Sequence, residues 1–265
     1  MLGTVAHQTL HSQRRGLIGW AAGTTLLVAM IGAFWPSVRD MPDLDKFLSN
    51  YPEAMRKLFD IQSMTTGPGY LNTELFSMML PALFVIFGIG RGARLVAGEE
   101  ESGALEVVLT TPVSRRHLLL DKALAVAASV AALGTVLFAV TVATAYVADM
   151  GTGVGQIAAA CTAMTLLGVE HAWLAIAVGA ATGRRSAAVA AGAVVAVAGY
   201  MLFVLGRIVD AVAPWAVLSP FHQALDGGPV GAGLPAAYLW LIAGALAALI
   251  VGVPAFDRRD LRASH

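Results

Sequence analysis

The chain has 265 residues, of which 57% are hydrophobic and only 13% charged. That is roughly half the charged share of an ordinary soluble domain and argues against a soluble enzyme. Seventeen Lys and Arg balance seventeen Asp and Glu, so there is no basic excess to hold nucleic acid. Cys161 is the single cysteine, which excludes an intramolecular disulfide and a CxxC metal or redox motif.

A bilayer core takes about 20 apolar residues in helix, and six stretches meet that requirement. The first, Gly16 to Val38, lies between Arg15 and Arg39 with its apolar centre at residues 17–35. A cleaved signal peptide is the alternative, but the stretch is long and Phe34-Trp35-Pro36 does not resemble an A-x-A site, so the span reads as retained. The next loop, Pro36 to Thr73, holds an amphipathic segment from Asp43 to Ile61. The second span, 75–96, is the shortest in charge-free length, and Pro81 is its expected kink. The third runs over 123–148. The fourth, 156–181, carries Glu170 and His171. The fifth and sixth cover 187–205 and 234–253. Between those two, Asp210 to Gly233 mixes Pro214, Trp215, Pro220 and Phe221 with a GGPVGAG run. A backbone that irregular enters a membrane only where protein or water satisfies it, so the segment reads as a re-entrant one on the outer side.

Twelve of the seventeen basic residues fall on the side that holds both termini, and five on the other. The positive-inside rule then puts both termini in the cytoplasm. The expectation is an all-α membrane protein of six transmembrane helices in the plasma membrane, with residues 1–265 forming one transmembrane domain. No stretch reads GxxxxGK[ST], so no nucleotide site is expected on this chain.

The most charged stretch, from Gly98 to Lys122, faces the cytoplasm in this topology. Ser102 fits an N-cap, Glu99 to Glu101 supply negative charge near a helix start, and Leu105, Val108 and Leu109 share one face. Pro112 breaks that short helix, and Ser114 caps a second one running into the third span. A two-turn helix with one apolar edge and flanking acids cannot bury that edge in lipid or against itself, so it needs a protein surface.

This stretch resembles the loop between spans two and three of type-2 ABC exporter permeases. The shared pattern is an acidic pair or triplet, G-x-L-E, a short apolar run, T-P-[VI]-S-R, and a Leu-rich segment ending in Lys. It is carried here by Glu99, Glu100, Gly103, Leu105, Glu106, Thr111, Pro112, Val113, Ser114, Arg115 and Lys122. Leu218-Ser219-Pro220-Phe221 and the terminal Phe256-Asp257-Arg258-Arg259-Asp260-Leu261 are weaker echoes. The resemblance implies a short cytoplasmic coupling helix gripped by a separate ATP-binding subunit, two copies per complex, which would hold the ATP and Mg. It also implies a second permease chain, identical or homologous. Glu99, Glu100, Glu101, Gly103, Leu105, Glu106, Val108, Leu109, Pro112 and Arg115 would be docking residues. Val5 to Leu17, with His7, His11, Arg14 and Arg15, would be an amphipathic interfacial helix before the first span; a frayed terminus with two topology-setting arginines is the alternative.

Glu170 is expected near the middle of the fourth span, where an ionised carboxylate costs about 2.5 to 3.5 kcal/mol on insertion scales. Its helical neighbours offer only the Trp173 indole as a donor, and His171 lies about 100° round the helix. Either Glu170 and His171 face a substrate pathway, or a protonated Glu170 ties its helix to Thr141, Thr144 or Tyr200 on a neighbour. Two rival functions stay open. One is a proton-coupled transporter in which Glu170 titrates, although the inverted repeats usual in such folds are missing. The other is a membrane anchor for a regulatory ATPase. His222 and Asp226 are too few for a metal site of their own.

Overall fold

The computed structural model describes residues 2–41, 50, 64–104 and 114–259, with side chains from Arg15 onward. These described residues are helical throughout their regular parts, with no strand. Six of the helices are long and apolar enough to cross a membrane.

Helix α1 runs without interruption from Leu2 to Arg39, and its apolar span occupies Arg15–Arg39. The N-terminal stretch is therefore not a separate element as expected but the first turns of α1. Nothing before Pro36 removes a backbone donor, and the glycines at 16, 19 and 23 weaken the helix without breaking it. The amphipathic segment expected over residues 43–61 lies outside the described residues.

The short helix α2 (Gly67–Leu71) is capped by Thr66, whose hydroxyl accepts the Gly69 N–H at 3.3 Å. A π turn over Asn72–Phe76 follows, and the backbone breaks at Met78 (φ −145°, ψ −46°) before α3 starts at Met79. Pro81 causes a break rather than a kink. Its ring collides with the carbonyl four residues back, at Ser77, and its missing N–H is tolerated only in a first turn. The second span therefore covers Met79–Glu101 instead of 75–96, passing through a π turn at Arg94–Gly98.

Helix α4 (Arg115–Val147) begins where the sequence placed its cap. Ser114 is extended, and its hydroxyl accepts the His117 N–H at 3.4 Å. Helix α5 (Val154–Thr182) ends on Gly183 in the left-handed region (φ 65°), and α6 spans Arg185–Ile208. A 3-10 turn (Ala213–Leu218) and a short helix α7 (Pro220–Leu225) follow. The sixth span is α8, Tyr238–Arg258. It starts later than the expected residue 234 because Gly231 (φ 127°), Gly233 (φ 73°) and Pro235 hold the preceding chain in turns.

Helix α5 is the hub of the bundle, packed against α3, α4, α6 and α8. Glycine sets the closest approach. A Cβ on Gly88 would overlap the Gly168 carbonyl, and one on Gly92 the Ala172 carbonyl, so α3 and α5 meet backbone to backbone as small residues allow in membranes. Gly244 lies beside Glu170 and Gly252 beside Ala177 in the same order. Helices α3, α5 and α8 are therefore parallel, as even-numbered spans must be.

Alternation gathers the C-terminal ends of these three helices, and the N-terminal ends of α4 and α6, at one end of the bundle. Leu80, Phe84, Phe87, Val130, Leu133 and Leu167 fill the interior. Ile18, Leu26, Val194, Val197, Trp240 and Ile250 are exposed on α1, α6 and α8, which suits faces solvated by lipid rather than by water.

Candidate functional site

At the end where α3 and α5 finish and α4 and α6 begin, the acidic triplet occupies the last turn of α3. Ser102 is the C-terminal cap of this helix. It has helical φ/ψ (−88°, −1°), its hydroxyl donates back to the Glu99 carbonyl at 3.1 Å, and Gly103 then turns left-handed (φ 73°). Three carboxylates at a helix C-terminus oppose the helix dipole. Each is met by a different element.

Glu99 pairs with Lys122 of α4, whose side chain is 3% exposed. Glu100 is buried and pairs with Arg259, its Oε1 accepting Nη1–H at 2.9 Å while Oε2 takes the other terminal nitrogen. Glu101 Oε1 accepts the Arg185 N–H at 2.8 Å, supplying the orphan amide of α6 with the cap that Arg184 does not provide.

Arg259 does more than pair. Its Nε donates to the Ala180 carbonyl in the last turn of α5 at 3.0 Å, and its own carbonyl accepts from Arg115 Nη1 at 2.8 Å. The left-handed turn at Gly183 leaves the space its guanidinium fills, since a Cβ there would overlap it. Arg116 pairs with Asp257 nearby.

Of the expected docking residues, Glu99, Glu100, Glu101 and Arg115 thus belong to one internal network, with Gly103 in the turn after it. Leu105, Glu106, Val108, Leu109 and Pro112 lie outside the described residues. The roles of Arg259, Lys122 and Arg185 in this network went unread in the sequence. For Arg259 and Lys122 the available signal was electrostatic: acids ending an apolar helix require cations, and these lie on the same side of the predicted topology; the Arg185 contact is through its main-chain amide and left no such signal.

Glu170 and His171 diverge, as their angular separation requires. The Glu170 carboxyl lies against Gly244 of α8, where a Cβ would overlap it, and its Oε2 is buried without a hydrogen-bond partner. His171 is 1% exposed; its Nδ1 is 2.9 Å from the Leu167 carbonyl, its Nε2 has no partner, and its ring meets Phe221 edge-on at 5.8 Å. The helix tie expected from Thr141, Thr144 or Tyr200 does not form. The Thr141 hydroxyl is itself buried without a partner, and Trp173 Nε1 instead donates to the Ala123 carbonyl at 3.0 Å.

Phe221 belongs to the segment between α6 and α8, which folds back along α6. Ser219 Oγ donates to the Gly199 carbonyl at 2.7 Å and accepts the Phe221 and His222 N–H groups. Gly199 is nine residues before the end of α6, so at 1.5 Å per residue α7 sits about 13 Å inside the helix end. Its first two free amides are satisfied by protein. Beside it, Tyr200 and Phe221 line an apolar cavity of about 370 Å3 between α3 and α6, together with Met78, Ile86, Ile89 and Val197. His222 Nδ1 and Asp226 Oδ1 are 3.9 Å apart, and no metal-binding cluster occurs among the described residues.

Six apolar helices, one of them a glycine-packed hub, with a segment folded back between the last two, are those of a multi-pass α-helical membrane protein. Residues 2–257 match the family described as the C-terminal domain of the multidrug efflux system permease Rv1217c. The chain belongs to that family and is a permease of an efflux transporter. No curated protein matches it.

Proposed function

We propose that the chain is the permease subunit of an ATP-driven exporter of the type-2 ABC kind. Two six-span units enclose the pathway, and two separate ATP-binding subunits, carrying the ATP and Mg, grip residues 98–122 from the cytosol. Both termini are cytoplasmic. The observation that carries the proposal is the ordered motif from Glu99 to Lys122 on a chain that belongs to an efflux-permease family and carries no nucleotide-binding motif of its own. The family name points to drugs of varied structure as cargo. A cavity lined by apolar side chains with Tyr200 and Phe221 suits apolar and aromatic compounds, which ask for contact area rather than for a fixed hydrogen-bond pattern.

The test is co-purification of the chain with an ATPase encoded beside it, followed by drug-stimulated ATP hydrolysis. Leu105→Ala with Glu106→Ala is expected to lose the ATPase and the stimulation while the permease remains in the membrane. Unchanged binding and stimulation would remove the docking assignment.

A second reading, proton-coupled efflux through Glu170, is favoured by its unpartnered carboxylate oxygen. It predicts that collapsing the proton gradient in ATP-loaded vesicles stops efflux, whereas the ATP-driven reading predicts that efflux continues.

A further inference from the structure

We propose that Arg259 is a positioning residue for energy coupling: it pins both flanks of the 98–122 loop to the end of α5, so that a displacement of the loop carries the bundle with it. The inference rests on the reading of that loop as the handle of an ATPase.

The geometry is specific. The flank before the loop is held at its guanidinium, through both oxygens of Glu100. The flank after the loop is held at its backbone, where the Arg259 carbonyl accepts from Arg115. Its third nitrogen, Nε, donates to the Ala180 carbonyl of α5. One residue 159 positions from Glu100 and 144 from Arg115 therefore closes the loop at its base.

Both partners of the ion pair are shielded, with side chains 5% and 17% exposed, so water does not compete for the bonds as it does at a surface pair. The fork of Arg is needed, because a Lys ammonium has neither the planar bidentate face nor a separate Nε–H directed along the chain. The Lys122–Glu99 pair and the Glu101 cap on α6 extend the same junction to α4 and α6. A push on the loop then meets a joint rather than a hinge.

The experiment has two arms. In the first, the chain with Cys161→Ala carries spin labels at Ser102→Cys and Ala181→Cys, and the distance distribution between them is measured without any ATPase. It is expected to be narrow, and to broaden with Arg259→Ala or Glu100→Gln. A distribution that stays narrow in both overturns the pin.

In the second arm, the chain with its ATPase is reconstituted in liposomes, and drug transported per ATP hydrolysed is compared for the parent, Arg259→Lys, Glu100→Gln and Arg116→Ala. Arg259→Lys is expected to keep the bound ATPase and basal hydrolysis, and both it and Glu100→Gln to lower transport per ATP roughly tenfold, the scale of a lost charge-assisted hydrogen bond. Arg116→Ala removes only the Asp257 pair, whose arginine is 70% exposed, and should leave the ratio unchanged. An unchanged ratio in Arg259→Lys and Glu100→Gln, or transport and hydrolysis falling in proportion, overturns the role in coupling. If the parent chain binds no ATPase, the proposed function fails, and with it the coupling role; the label distances decide by themselves whether Arg259 pins the loop.

Discussion

Asn72 and Val230 exchange two hydrogen bonds. The amide Nδ2 of Asn72 donates to the Val230 carbonyl, the Val230 N–H donates to Asn72 Oδ1, and both are 2.9 Å. The side chain at the start of a π turn thereby acts as a one-residue strand partner for the loop before α8. Gly228 (φ 75°) gives it room, since a Cβ there would come within 2.8 Å of Nδ2.

Replacing Asn72 by Ala leaves two main-chain groups without partners. Because the site is half-buried and water can replace part of the loss, the expected cost is about 1 kcal/mol. Asn72→Asp keeps the acceptor but not the donor and should fall between. Thermal unfolding in detergent, with thiol labelling of Ala232→Cys as a local probe, should show faster labelling in Asn72→Ala before any global loss.

The spans were legible because a membrane leaves few ways to hide a backbone, and uncharged length is a direct readout of that constraint. Ser114 was legible because a cap followed by an apolar run is a local signal. The divergence of Glu170 from His171 followed from helix geometry alone. The place of the acidic triplet at the end of α3 was not legible, because its own run has no period that reveals a π turn upstream. That turn, at Arg94–Gly98, extends α3 so that the acids finish a helix. The Glu100–Arg259 and Asn72–Val230 pairings were out of reach, because a contact across more than 150 residues leaves no local trace.

Glycines in contact with the hub should be intolerant, and the others should not. Gly88→Ala places a methyl on the Gly168 carbonyl. Backbone cannot rotate away as a side chain can, so a loss of about 1–3 kcal/mol is expected. Gly90 lies two residues along the same helix, with nothing within 4 Å of the place a methyl would take. Gly90→Ala should therefore stabilise by roughly 0.5–1 kcal/mol through the backbone entropy of the unfolded chain. Unfolding temperatures of the pair in one detergent test this; equal shifts would mean that the close approach of α3 to α5 is not as described.

The π turn before the second span, which carries Glu74, should respond to acid. Burial raises the Glu74 carboxyl above its ordinary 4.5, and burial followed by the Glu74 charge pushes the Tyr70 hydroxyl up to about 12 while it donates to the Ile31 carbonyl at 2.8 Å. A raised carboxyl means that the folded chain holds its proton more tightly than the unfolded one. Its contribution to stability is then fully present below pH 4.5 and is lost as pH rises through the folded value. Glu74→Gln removes that dependence. The unfolding temperature of Glu74→Gln relative to the parent should therefore rise between about pH 4 and pH 7, and a difference that is flat with pH would exclude the burial.

Glu170 offers the sharpest separation of structure from transport. Glu170→Gln preserves shape and removes the need to keep a carboxyl without a partner at mid-bundle, where an ionised one costs about 2.5 to 3.5 kcal/mol. The variant should reach the membrane and unfold at the parent temperature or above it. Gly244→Leu instead drives a side chain into the carboxyl and should lower it. If the acid faces cargo, Glu170→Gln reduces efflux of cationic drugs while sparing neutral ones of similar size, because only the former gain from a buried negative charge. Equal efflux of both classes, with unfolding unchanged, would leave Glu170 as a packing residue against α8.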